Sequence, residues 1–189
     1  MARRRLADDY EPFPNIEARN VLQGAFEIPL LVRLMRVPEG ARILEVGCGR
    51  GVALPALAAL RRPRRLVGID LDPVATSIAR GALADAGVAA EIVRADVREL
   101  PFPDRSFDVV IDFGTCYHIA GSGRAVAEIE RVLAPGGRFV TETRASQALA
   151  HPIRTSGRGL PWSAAPRLER TRRALLWSCQ VKRAGRAGS

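Results

Sequence analysis

Between Ile43 and Asp70 the chain passes from a short apolar run into glycines, then an alanine- and leucine-rich stretch, then a second apolar run. That order admits few folds. Ile43-Leu44-Glu45-Val46 has the length and branched residues of a buried strand. Gly47, Gly49 and Gly51 follow, where a backbone without Cβ atoms can turn sharply and let a ligand come close. Val52 to Leu60 then reads as a helix, and Leu66-Val67-Gly68-Ile69 as a second strand ending in Asp70. A carboxylate at that tip, 23 positions after Gly47, is placed to accept hydrogen bonds from a ribose diol. Strand, glycine turn, helix, strand and acid together imply a βαβ unit for a nucleoside-containing cofactor.

The spacing narrows the choice of cofactor. A dinucleotide fingerprint requires G-x-G-x-x-G, but here the third glycine falls one place early and Val52 stands where it belongs. Glu45 also precedes the first glycine by two residues. Glu45-Val46-Gly47-Cys48-Gly49-Arg50-Gly51 resembles motif I of the class I S-adenosylmethionine-dependent methyltransferases, (D/E)-x-G-x-G-x-G. The resemblance continues in order. Glu91-Ile92-Val93-Arg94-Ala95-Asp96-Val97 looks like the family's third strand, and Leu100 to Val110 (LPFPDRSFDVV) is close to its run into the fourth. Arg131 to Val140 matches the RVLxPGGxxx turn into the fifth strand, so the likeness spans about residues 41–143.

The resemblance implies a doubly wound α/β fold of Rossmann-like methyltransferase type, with a mostly parallel seven-stranded sheet whose last strand is reversed. It implies S-adenosylmethionine as cofactor, with Glu45, Gly47, Gly49 and Gly51 around the methionine end. Asp70 would take the ribose, Leu71 an adenine face, and Asp96 with the Val97 amide the adenine edge. Asp112 and Phe113, at the fourth strand tip, complete the expected cofactor set. His118 and Tyr117 are the candidate catalytic residues. An imidazole titrates near neutrality, but a base is needed only if the methyl acceptor arrives protonated. For Asp70 and Asp96 the alternative role is helix capping or a solvated loop, for Glu45 a structural acid that bonds loop amides, and for His118 a cap on the next helix or a bond to a nearby loop.

Composition bounds the rest. The 189 residues fit one domain, organised as an N-terminal helical arm or lid over 1–40 and the cofactor-binding domain over 41–189. Apolar content is 47% and mean hydropathy is −0.01. No stretch approaches the ~18 apolar residues of a membrane span, so a cytoplasmic protein without a membrane partner is expected. The three cysteines lack metal-type pairing, and neither metal nor disulfide is expected. Residues 151–189 carry nine basic side chains against one acidic, yet 28 of the 29 basic residues in the chain are Arg. Few aromatics accompany them, so a specific nucleic-acid site is not expected.

The arm reads as a helix capped near Asn15 and ending about Gly24, followed by a second piece from Leu30 to Arg36 that Pro29 opens. Gly123 to Leu133 reads as a helix, and Leu168–Thr171 with Ala174–Lys182 as a terminal hairpin. Tyr10, Phe13 and Pro14, and Leu160-Pro161-Trp162, are candidate walls of a modest apolar pocket or, equally, ordinary packing residues. His151 reads as a surface residue. The expected function is methyl transfer to a small organic acceptor. The alternatives are an RNA or protein methyltransferase using the basic C-terminal segment, and a non-methylating relative, such as a cyclase, that retains the cofactor.

Overall fold

The computed structural model describes residues 20–150 and 159–184. Asn15, Tyr10, Phe13, Pro14 and His151 lie outside them. One sheet holds β1 Arg42–Val46, β2 Arg65–Asp70, β3 Glu91–Arg94, β4 Phe107–Asp112, β5 Leu133–Glu142, β6 Leu168–Arg173 and β7 Trp177–Lys182. The spatial order is β3-β2-β1-β4-β5-β7-β6. Strands β1 to β5 are parallel, β7 runs antiparallel to β5, and β6 pairs antiparallel with β7. The doubly wound sheet with its reversed seventh strand is therefore the architecture of the chain.

Central strands buried on both faces need apolar residues without polar alternation. Ile43 and Leu44 accordingly turn to opposite faces and are both fully buried. On one face lie α1 Ile28–Leu34, α2 Ala53–Arg61 and α3 Pro73–Asp85, whose Leu31, Leu54, Leu57 and Ala79 pack on Ile43, Val109 and Ile111. The other face carries α4 Thr115–His118 and α5 Ser122–Val132 over Leu44, Val67, Val110 and Phe139. Helix α6, Arg144–Ala150, follows β5.

Local chemistry sets the boundaries. Asp72 caps α3 by accepting from the Val74 N–H at 2.7 Å, and Pro73 fills the first turn, where a missing N–H costs nothing. Lys182, the chain's one lysine, is buried and donates to the Glu130 and Leu133 carbonyls at 2.6 Å each, satisfying the C-terminal end of α5.

Three expectations shift. The arm does not break at Gly24 and restart at Pro29: helix runs from Asn20 through a π-helical turn, Gln23–Glu27, directly into α1. Pro29 offers no N–H and its ring crowds the carbonyl four residues back. The widened turn accommodates it, with the Ile28 N–H reaching Gln23 O, five residues back. The Pro135-Gly136-Gly137 turn lies within β5 rather than before it, as a bulge where pairing jumps from Leu133↔Phe107 to Arg138↔Val109. Leu160 is 5% exposed and Trp162 packs on Phe139. Both belong to the core rather than to a pocket wall.

Candidate active site

The order β3-β2-β1-β4 brings four strand tips side by side, and with them the glycine loop, Asp70, Asp96 and the Asp112-Phe113 pair. Ligands of open α/β sheets bind at such an edge.

The glycine loop is fixed from beneath and open above. Gly47 has φ +67°, and a Cβ there would come within 1.8 Å of Thr115 Oγ1, so α4 is seated directly on the loop. Thr115 Oγ1 also donates to the Val46 carbonyl at 3.4 Å. Cys48 N–H bonds back to Ile69 O, and Gly51 N–H to Cys48 O, both at 2.8 Å. Gly49 has φ +51° and a Cβ added to it would meet nothing within 4 Å. The loop therefore presents bare backbone to open space at this position. Gly51 packs on Ala79 of α3 instead. Glu45 is 3% exposed and sits inside the sheet between Gly68 and Ile111.

Asp70 couples the loop to the second strand. Its Oδ2 accepts from Gly49 N–H at 2.9 Å and its Oδ1 from Asp72 N–H at 2.9 Å. Two amides thus fix the carboxylate plane, and each oxygen retains a lone pair for a further donor. Leu71, next along, is 39% exposed and offers an apolar face beside it.

Asp96 has a partner that was not legible in the sequence. Arg98 forks onto its carboxylate at 2.7–3.0 Å and adds a backbone bond at 2.8 Å, while its Nη1 reaches Ala120 O at 3.0 Å. These bonds hold the Asp96 carboxyl below the usual carboxylate range despite partial desolvation. Arg98 ties the β3 tip to the loop after α4 and forms a wall between them. The Val97 side chain is buried in the core, which leaves its backbone at that wall.

The fourth strand tip differs from the expectation for it. Asp112 is fully buried. Its Oδ1 accepts from the Cys116 N–H at 3.3 Å and its Oδ2 from the Thr141 hydroxyl at 3.1 Å. Desolvation pushes its carboxyl up to about 6, against the lowering effect of those bonds. The carboxylate is directed to the protein's own groups: it holds α4 and β5 together behind the site and presents no surface to a ligand. Phe113 is half-buried and packs against the core on the α1–α3 side.

Tyr117 and His118, on the short helix α4, are both half-buried. The Tyr117 hydroxyl donates to Glu142 O at 3.4 Å, and burial pushes its phenol up to about 12. At neutral pH Tyr117 is therefore a donor. Glu142 and Gln147 were not legible as site residues. Gln147 Nε2 donates to Glu142 Oε2, and the pair lies against Gly114, where φ is +93° and a Cβ would overlap both. Only the coincidence of a glycine before α4 with polar residues after β5 hints at this junction. Among the described residues no cluster of three or more His, Cys, Asp or Glu gathers as a metal site would. The three cysteines are buried and free.

A family profile described as a methyltransferase domain matches residues 44–141, from β1 through most of β5. A fatty-acid O-methyltransferase of Mycolicibacterium smegmatis is 38% identical over 102 residues, covering 54% of this chain and 36% of that protein. The chain thus spans well under half the length of the curated relatives it matches. The crystal structure of a SAM-dependent methyltransferase from Aquifex aeolicus superposes with a TM-score of 0.68 at 15% identity, over 86% of this chain and 92% of that one. The [4+2]-cyclase SpnF is 30% identical over 61% of this chain and 43% of its own, with a TM-score of 0.54. With the family profile covering more than half its length and a sheet of the same order, the chain belongs to the class I S-adenosylmethionine-dependent methyltransferases.

Proposed function

We propose that this domain binds S-adenosylmethionine across the tips of β1 to β4 and directs its methyl group onto a small acceptor with a lipid-type apolar body. The observation that carries the cofactor assignment is the coupling of Gly49 to Asp70. The glycine faces open space while its N–H fixes the carboxylate beside it. A loop backbone and a charged acceptor are thereby preset for a nucleoside with a small polar tail. Glu45 and the Gly47–Gly51 loop would hold the methionine end, Asp70 the ribose hydroxyls, Leu71 the adenine face, and Asp96 with the Val97 amide the adenine edge. Asp96 does this from within the Arg98 clamp, so Arg98 orients it. Asp112 and Phe113 support the site from behind.

S-adenosylmethionine supplies a methyl group already activated by its sulfonium. What the chain adds is alignment of the acceptor and exclusion of water, and holding reactants in near-attack geometry lowers a barrier by several kcal/mol. Tyr117, whose hydroxyl proton is given to the Glu142 carbonyl, would line the acceptor side of the pocket. His118 takes a proton only from an acceptor that arrives protonated. A carboxylate acceptor needs no base, whereas a hydroxyl does. The fatty-acid O-methyltransferase similarity favours an acyl-chain acceptor, and the test is a mass-shift screen of fatty acids, hydroxylated lipids and RNA with the purified chain. A gain of one methyl on a lipid supports the proposal; a gain on RNA alone overturns the acceptor class. The SpnF similarity favours a second reading, a non-methylating relative that binds the cofactor. Cofactor binding with no methyl transfer to any acceptor would support it.

A further inference from the structure

The helix before β1 is apolar on two sides. Its inner side, with Ile28, Leu31, Val32 and Met35, is buried in the core. Its outer side carries Leu22, Phe26, Leu30 and Leu34 at regular four-residue spacing, exposed by 50%, 67%, 45% and 40%. Scattered apolar residues on a surface need no explanation, but a continuous row marks a contact. Around an ideal α-helix a four-residue row drifts by about 40° at each step. The π-helical turn Gln23–Glu27 lies under the first half of this row. Its wider i→i+5 closure turns the chain less per residue and brings the row back into line. The backbone irregularity at Pro29 thus straightens an exposed apolar stripe.

The row also has a defined direction. Both the π-helical turn and α1 pack along α2. Helix α2 starts beside the glycine loop and ends at Arg61, whose carbonyl accepts from Gly40 N–H at 2.8 Å. Since α1 descends to Gly40, its N-terminal end lies toward the glycine-loop edge. The stripe therefore runs from the proposed cofactor site to the opposite end of the sheet. The exposed charges nearest it are basic, Arg33 on the helix and Arg36 in the turn just past its end, while Glu27, the acid among the helix's described residues, is half-buried. Glu39, the next acid along, is paired with Arg62 at 3.2 Å. A row of Leu and Phe bordered by Arg is the composition of a helix that lies in a lipid headgroup layer. Basic side chains there are drawn to anionic lipid.

We propose that the Leu22–Phe26–Leu30–Leu34 face of the N-terminal helix seats the protein on an anionic lipid surface, with the glycine-loop edge beside that surface. The proposal rests on the lipid-acceptor reading above, since it places the site where an acyl-chain acceptor resides. It needs no membrane span, and among the described residues no helix is long and apolar enough to make one. It does depart from the sequence expectation of no membrane partner.

The test is flotation of the full chain with phosphatidylcholine vesicles prepared with and without phosphatidylglycerol, at low and high salt. Calorimetry with S-adenosylmethionine on the same samples is the control. The parent is expected to float with phosphatidylglycerol vesicles, and more weakly at high salt or on phosphatidylcholine alone. The double variant Phe26→Ser, Leu30→Ser alters two exposed side chains. It should keep its circular dichroism and cofactor heat but lose about tenfold or more in vesicle affinity. Arg33→Gln should lose about fivefold. A parent that binds cofactor but not phosphatidylglycerol vesicles overturns the docking proposal alone. Absence of cofactor heat as well would break the functional reading too. Equal flotation of the double variant also overturns the proposal. So does a parent dimer that the double variant dissolves without any vesicle binding, which would assign the face to a second copy.

Discussion

Strand β4 carries two aspartates four residues apart, and the protein treats them oppositely. At its beginning, Asp108 accepts from Arg42 N–H, Nε and Nη2 at 2.7–3.1 Å and from Arg64 Nη2 at 2.8 Å. Its hydrogen bonds to Arg42 hold its carboxyl down to about 2. At the end of the strand, Asp112 is bonded by an amide and a hydroxyl, both neutral, and burial pushes its carboxyl up to about 6. The first edge of the sheet is closed by its own arginines. At the second edge, amides and a hydroxyl hold Asp70 and Asp112, Arg98 clamps only Asp96, and Gly49 faces open space beside them. Residue type does not separate the two aspartates; what each strand end faces does.

The largest effect is expected at the open edge. Gly47→Ala must place a Cβ against Thr115 in a left-handed conformation. Backbone strain of about 1–2 kcal/mol adds to overpacking of about 1–3 kcal/mol. Chemical denaturation should show a loss of that combined order. A variant as stable as the parent would mean that α4 is not seated on the loop. Next comes His118→Ala. If the acceptor is a hydroxyl, single-turnover methyl transfer should fall by about 10²–10⁴ with cofactor affinity unchanged. Full rate with an unaltered pH profile would reduce the site to alignment alone.

The two aspartates give a paired test with opposite signs. Asp108 has a folded pKa below its unfolded value, so its contribution is present above pH ~4 and lost as pH falls through about 2. With water screening the exposed part of the pair, that contribution is about 1–2 kcal/mol, and Asp108→Asn should remove it. Asp112 has a folded pKa above its unfolded value. The parent should therefore lose stability as pH rises from about 4 through about 6. Asp112→Asn should flatten that slope, the smallest change of the series. Melting temperatures across about pH 2–8 would show both. Parallel profiles for the two variants would undo the contrast.

Much of this was legible in the sequence, for physical reasons. The strand–glycine–helix order and the Asp70 tip are dictated locally, by apolar runs and by glycines at positions of positive φ. The seven-stranded sheet with its reversed last strand was expected from the family resemblance, and the terminal hairpin from its own two segments. Partnerships made across the fold were not legible. Nothing in Asp96-Val97-Arg98 announces that the arginine folds back on the acid, because the fork depends on where Ala120 lies. Asp112 read as a ligand group because it ends a strand, but its direction is set by Thr141 on a neighbouring strand. The arm looked like two helices because Gly24 and Pro29 are both breakers. Packing of Ile28 and Leu31 against the sheet kept it one, at the cost of a π-helical turn.

The central claim is that the open edge is preset for S-adenosylmethionine through Gly49 and Asp70. Calorimetric titration of the parent and of Asp70→Ala with S-adenosylmethionine and with NAD tests it most directly. Micromolar-range binding of S-adenosylmethionine and no heat with NAD are expected for the parent. Asp70→Ala should bind more weakly by about 1.5–3 kcal/mol, the worth of hydrogen bonds to a charged acceptor, with the fold intact by circular dichroism. Heat with NAD and none with S-adenosylmethionine, or a folded Asp70→Ala that binds as tightly as the parent, would contradict it.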